Sequence, residues 1–267
     1  MKSFTGKTLR WEWREGVIEL TLNHEPANEI GTAMLDELEQ FVAAFPSLSP
    51  ESSACIITSN KRRGFSAGAD LRELYARALP LTEKERVSGV RQFLKRVHAV
   101  LNAIDEAPFV AIAAVHGVCF GGGFELALAC DIIVADQMAR FAFPELRLGL
   151  IPGFGGIPRL KRDAGNGFVR DLLLTGRSVN AARAQVAGLV AQLTSEGEVL
   201  RAARSAASQI TKFDSVARVA AKKFIKPIPH EELRREIDLF CELFARPAVM
   251  AALKKFVEDA GPMPYLP

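Results

Sequence analysis

Cysteine is scarce: 267 residues contain four. Cys55, Cys119, Cys130 and Cys241 lie far apart, show no C-x-x-C spacing and sit in apolar runs, so they read as buried thiols rather than a disulfide framework. No stretch of 18 or more apolar residues occurs, and Met1 to Leu9 has no apolar segment after Lys2. Neither a membrane span nor a leader is therefore expected, and a cytoplasmic location is. Charge of one sign is also lacking: the net value is +3, and the basic residues are not interleaved with aromatics as single-stranded nucleic acid requires. Lys61, Arg62 and Arg63 form the densest basic cluster, suited to a phosphorylated ligand or to solvent. No His/Cys/Asp cluster has metal-ligand spacing and no G-x-G-x-x-G follows a strand, so no metal and no dinucleotide is expected. Repeats and low-complexity tracts are absent as well.

What is present is an ordinary globular composition, 49% hydrophobic and 24% charged, long enough for a large core. Leu9 to Leu22 alternates around Glu15-Gly16, which predicts a hairpin whose second strand is Val17 to Leu22. Met34, Leu35, Leu38, Phe41 and Val42 recur at helical spacing, and Cys55-Ile56-Ile57 then reads as a strand. Val87 to Ile104 marks a long amphipathic helix ended by Pro108, followed by the strand-length run Phe109 to Val115. Ile132 to Ala135 predicts another strand, and from Gly167 onward the spacing is helical throughout.

Between two of those strands lies the stretch that carries chemistry. Gly121-Gly122-Gly123 precede an Ala/Leu-rich helix, and Glu125 falls in its first turn, beside N–H groups that a helix start leaves unpaired and positively polarised. Such N–H groups suit a developing oxyanion; equally, Glu125 is placed to complement the helix dipole. Glu145 follows Pro144 in the apolar loop Phe141-Ala142-Phe143, where a carboxylate would have a raised pKa unless it sits at the loop's solvent edge.

Taken together, GFSAGADLREL (Gly64–Leu74), AAVHGVCFGGGFELALACDIIVAD and FPELRLGLIPGFGGIPRL resemble the enoyl-CoA hydratase/isomerase (crotonase) signatures, in the right order. LLLTGRSVNAARAQVAGLV (Leu172–Val190) resembles the family's helical link, so the likeness covers nearly the whole chain. The resemblance implies an α/β fold, a β-β-α spiral core at residues 1–195 that binds acyl-CoA, and an all-helical trimerisation region at 196–267. It implies a homotrimer or dimer of trimers, and no cofactor beyond the coenzyme A that arrives with the substrate. It also implies an oxyanion hole from the N–H groups of Ala69 and Gly122, and a coenzyme A site at Ala67, Asp70, Leu71, Arg72 and Phe240. The last of these would border a neighbour's site. Glu125 and Glu145 would be the catalytic pair that adds water across a 2-enoyl thioester, because hydratases of the family keep both. Isomerisation, dehydration or decarboxylation of a branched acyl thioester on coenzyme A or a carrier protein stays open, as does an idle scaffold subunit.

The chain also departs from the pattern. Phe124, Phe143 and Phe154 stand where smaller residues are usual, which implies a short or unusual acyl pocket unless the rings pack outward. Glu29 is an extra carboxylate, and Asp259 replaces a common basic coenzyme A contact for which Lys254 and Lys255 would compensate. His98 and His116 are expected to be structural.

Overall fold

A computed structural model describes residues 2–259. Its strands are β1 (Ser3–Thr5), β2 (Leu9–Arg14), β3 (Val17–Leu22), β4 (Ala54–Ser59), β5 (Gly64–Ser66), β6 (Val110–Val115), β7 (Val118–Phe120), β8 (Ile132–Asp136), β9 (Arg140–Ala142), β10 (Val179–Asn180) and β11 (Gln192–Thr194). The helices are α1 (Thr32–Ala43), α2 (Phe45–Leu48), α3 (Leu71–Ala78), α4 (Glu83–Glu106), α5 (Gly122–Ala129), α6 (Gly156–Thr175), α7 (Ala181–Val186), α8 (Val199–Ile210), α9 (Ser215–Ile225), α10 (His230–Phe244) and α11 (Pro247–Glu258).

The predicted hairpin forms at the edge of a seven-stranded sheet, where Trp11 pairs with Leu20. The sheet order is β1-β2-β3-β4-β6-β8-β11, parallel from β3 onward. Strands β4 and β6 read as unbroken apolar runs because both faces are covered. Cys55, Ile57, Ala111 and Ala113 belong to the main core, while Ile56, Ile112 and Ala114 meet Val199 and Ala203 of α8. After β6, Gly117 takes a positive φ of 55° and turns the chain into the second sheet, of order β10-β9-β7-β5. Each passage from one sheet to the other followed by a helix is one turn of the spiral, and the fold is the α/β crotonase fold.

Two features differ from the sequence-based expectation. The region after Gly167 is not purely helical: β10 pairs with β9, and β11 adds a parallel edge beside β8. With two and three residues, neither strand is long enough to impose a period of two on the sequence.

The apolar stripe of the last two helices also needs no second subunit to cover it. Leu233, Ile237, Phe240, Cys241, Phe244, Val249 and Leu253 are all buried within one chain, α10 against α4 and α11 against α3. Phe240 lines its own chain's cavity. Large apolar side chains stay exposed instead on and beside α9, at Phe213, Val216, Phe224 and Ile225. Among the described residues no helix is long and apolar enough to cross a membrane.

Candidate active site

Backbone comes first. Gly68, at φ 102°, brings the Ala67–Asp70 segment against the start of α5; a Cβ there would stand 2.9 Å from the Phe120 carbonyl. Ile30 locks this segment by donating its N–H to the Gly68 carbonyl at 2.7 Å and accepting from Asp70 at 3.2 Å. Those bonds leave the intervening Ala69 N–H without an acceptor among the described residues. On the other side Gly121 adopts φ 47°, ψ −124°, and α5 begins with no side-chain cap, so the Gly122 N–H is equally open. A Cβ added at Gly122 would lie 3.3 Å from the Ala69 nitrogen, which makes the two amides neighbours. Two such donors side by side, one of them at a helix N-terminus, form a site for a developing negative oxygen.

Beside them stand two carboxyl groups. Glu125, 1% exposed, accepts hydrogen bonds on a single oxygen, Oε1, from the N–H groups of Phe154 (2.8 Å) and Gly156 (2.7 Å). Burial raises its pKa to about 7 in spite of those bonds and the nearby Arg159 cation. Glu145 starts a 3-10 turn, Glu145–Leu148, and its Oε1 presses on Gly121, where a Cβ would come within 2.6 Å. Its Oε2 is sealed from solvent with no hydrogen-bond partner among the described residues. Burial, then the charge of Glu125, holds Glu145 well above the usual carboxylate range. The site therefore offers two carboxyl groups whose burial favours the proton-bearing form, Glu145 under the added charge of Glu125 and Glu125 poised at about 7.

Both carboxyls and both amides line one cavity of about 370 Å³. Ala67, Asp70, Leu71 and Phe240 line it too, as do Lys255 and Asp259 from the end of the chain. Arg72 does not: its guanidinium donates to the Val257 carbonyl at 2.8 Å and lies over the Phe256 ring, clamping α3 to α11. The three phenylalanines divide. Phe124 and Phe143 pack on each other in the core, ring centres 4.8 Å apart, whereas Phe154 enters the cavity and meets Phe93 at 6.1 Å. Glu29 accepts from the Ala27 N–H and stays outside the cavity. His98 is buried on the Gly153 carbonyl, with its pKa pushed down to about 4 by burial, and His116 contacts the Lys61 carbonyl. Lys61 pairs with Glu25.

Glu236 escaped sequence reasoning. This buried carboxylate of α10 accepts from the N–H groups of Gly155 (2.6 Å) and Ile157 (3.1 Å). Four successive amides, residues 154 to 157, are thus shared alternately between Glu125 and Glu236. Burial, then the charge of Glu125, raises the Glu236 pKa well above normal. A signal was available: Glu236 falls three residues after Leu233 and next to Ile237, on the apolar stripe itself, where an unpaired carboxylate would be costly. Arg159, fully buried, completes the support by pairing with Asp105 at 2.8 Å and donating to the carbonyls of Phe154 and Gly155.

Comparison with known proteins gives a consistent answer. The sequence model of the enoyl-CoA hydratase/isomerase family matches residues 12–263. A probable enoyl-CoA hydratase of Rhizobium meliloti is 35% identical over 257 residues, spanning 94% of this chain and 95% of that protein. A 2,3-dehydroadipyl-CoA hydratase of Escherichia coli is 34% identical over 254 residues, 93% and 95% of the two chains. Among solved structures, Pseudomonas aeruginosa DspI aligns with a TM-score of 0.75 at 31% identity over 96% of each chain.

Proposed function

Because the chain belongs to the enoyl-CoA hydratase/isomerase family, we propose that it adds water to a 2-enoyl-CoA to give a 3-hydroxyacyl-CoA. The thioester oxygen is held by the N–H groups of Ala69 and Gly122, which stabilise the enolate that forms as water attacks the β-carbon. Glu125 takes a proton from that water. Glu145 gives its own proton to the α-carbon, and the pair then re-equilibrates by passing one proton back from Glu125 to Glu145. The roles follow from the environments: Glu145 is held well above normal and starts as an acid, while Glu125, at about 7, is available as a base.

The single observation that carries this reading is the sealed, unpartnered Glu145 Oε2 in a cavity it shares with Glu125 and two open amides. An isomerase that shuttles one proton between carbons needs one such group; a hydratase needs a second to handle water, and both are built in. Ala67, Asp70 and Leu71 are assigned to the coenzyme A arm. Phe240, which abuts Gly153 and so sits near Leu94, is assigned to the acyl wall.

The test is a panel of short, medium and branched 2-enoyl-CoAs, followed by loss of the conjugated thioester absorbance. Hydration of at least one is expected. If none is hydrated while a 3-enoyl thioester is isomerised, the hydratase reading is wrong.

A further inference from the structure

Among the described residues four cations line the cavity, Arg77, Arg86, Arg147 and Lys255, and the chemistry above uses none of them. Arg86, in the first turn of α4, lines the cavity half-buried, and its Nε is sealed from solvent with no hydrogen-bond partner among the described residues. Its cationic neighbour Arg77 is already committed to Glu73 and Thr32. The helix gains nothing from Arg86: Thr82 and Glu85 close a capping box, Glu83 and Glu85 complement the positive end, and a guanidinium there meets charge of its own sign.

Its place relative to the reacting atoms is set by α4. Arg86, Gly89, Val90, Phe93 and Leu94 follow at helical spacing and all face the cavity. Phe93 touches Phe154, whose ring stands 2.6 Å from a Cβ at Gly122 and whose N–H holds Glu125, so the Phe93 end of this face lies beside the carbons that react. Arg86 is seven residues away, about 10 Å along the helix. Between them, within this continuous 24-residue helix, stands Gly89, where a Cβ would meet nothing within 4 Å, so the cavity wall is open at that turn. The nucleotide phosphates of coenzyme A lie on the thiol side of the thioester carbonyl, away from the α- and β-carbons.

We propose that Arg86 determines specificity by pairing with a carboxylate at the far end of the acyl chain, so that the substrate class is a medium-length ω-carboxy-enoyl-CoA. This rests on the acyl-CoA reading of the cavity. The Arg86 Nε is sealed from solvent without an acceptor, and a carboxylate satisfies it in two-pronged geometry where a methyl end would leave it unpaired.

The experiment compares two 2-enoyl-CoAs of equal chain length, one ending in a methyl and one in a carboxylate, with titration calorimetry of their saturated counterparts alongside. The wild-type protein is expected to favour the carboxylate in kcat/KM and in affinity. Arg86→Met should lower that preference about 10- to 100-fold, and Arg86→Lys should recover part of it. A wild-type preference for the methyl chain overturns the proposal, as does a preference that Arg86→Met leaves intact. Equal weakening of free coenzyme A and of the ω-carboxyacyl thioester by Arg86→Met also overturns it, since the cation would then serve the nucleotide phosphates. If neither enoyl thioester is hydrated but the saturated ω-carboxyacyl-CoA still binds more tightly than its methyl partner, the hydratase reading fails and this one stands.

Discussion

Replacing Glu125 with glutamine separates its chemical role from its structural one. Both backbone bonds end on one oxygen, so an amide oxygen in the same place accepts them unchanged from Phe154 and Gly156, and the new NH₂ points where Oε2 was. What the substitution removes is a buried charge. The folded-state pKa of about 7 stands above the ordinary 4.5, and each tenfold in proton affinity is worth about 1.4 kcal/mol, so ionised Glu125 costs the folded chain about 3 kcal/mol. Below pH 4.5 the carboxyl is protonated whether the chain is folded or not, and the cost is absent. Between 4.5 and 7 only the unfolded chain gives up this proton, so stability falls; above 7 the loss is complete. Glu125→Gln should therefore match the wild type near pH 4 and gain up to about 3 kcal/mol at pH 8, roughly 6–9 °C in Tm for a chain of this size. Hydration should fall by roughly 10²-fold or more. Thermal unfolding at a series of pH values, with the hydratase assay on the same samples, reads both. A variant less stable than wild type at pH 8, or one within a few-fold of wild-type turnover, would refute the reasoning.

Glu145→Gln should keep the fold and ligand binding while lowering hydration roughly 10²-fold or more; with the raised acid gone, the fall of wild-type activity at high pH should disappear from its pH–rate profile. Glu236→Ala strands the N–H groups of Gly155 and Ile157, at about 1–3 kcal/mol each, and should lower both Tm and kcat because the 154–157 segment that also holds Glu125 loses half of its acceptors; unchanged kcat in a folded variant would detach Glu236 from the site. Gly122→Ala puts a methyl 2.6 Å from the Phe154 ring, so activity should drop at least about 10-fold and partly return in Gly122→Ala/Phe154→Leu, as steady-state kinetics would show. We propose that subunits associate through the exposed apolar side chains around α9, so sedimentation of the wild type should give a multiple of 29.1 kDa and Phe224→Asp should shift it toward one chain.

How much of this was legible beforehand follows from what each residue's neighbours in sequence reveal. Strands β4, β6 and β8 announced themselves because burial on both faces demands unbroken apolar runs, and α4 because its stripe persists from Val87 to Ile104. Glu125 and Glu145 were visible through their glycine and phenylalanine surroundings. The direction of Phe154 was not, since the same loop could turn the ring toward core or cavity, and only packing against Phe93 decides. Nor was the placement of Arg72 legible: its side chain reaches a carbonyl 185 residues downstream, a contact that no neighbour in sequence announces. Glu236 and Arg86 share a signature that sequence shows only faintly, a charge at a position where neither helix stripe nor helix dipole favours one.

The alternation of four amides between Glu125 and Glu236 also dictates an order of events when the chain is made. Every group of the proposed site, from Ala69 to Gly156, leaves the ribosome before the carboxylate that helps fix the 154–157 segment, which lies 81 residues beyond Gly155. At typical synthesis rates that is an interval of about 4–16 s. A nascent chain holds all the parts of the proposed site during this time without the brace that sets them, so on this reading competence is conferred late, when α10 docks, and a product truncated before residue 236 is expected to be inert even with Glu125 and Glu145 intact.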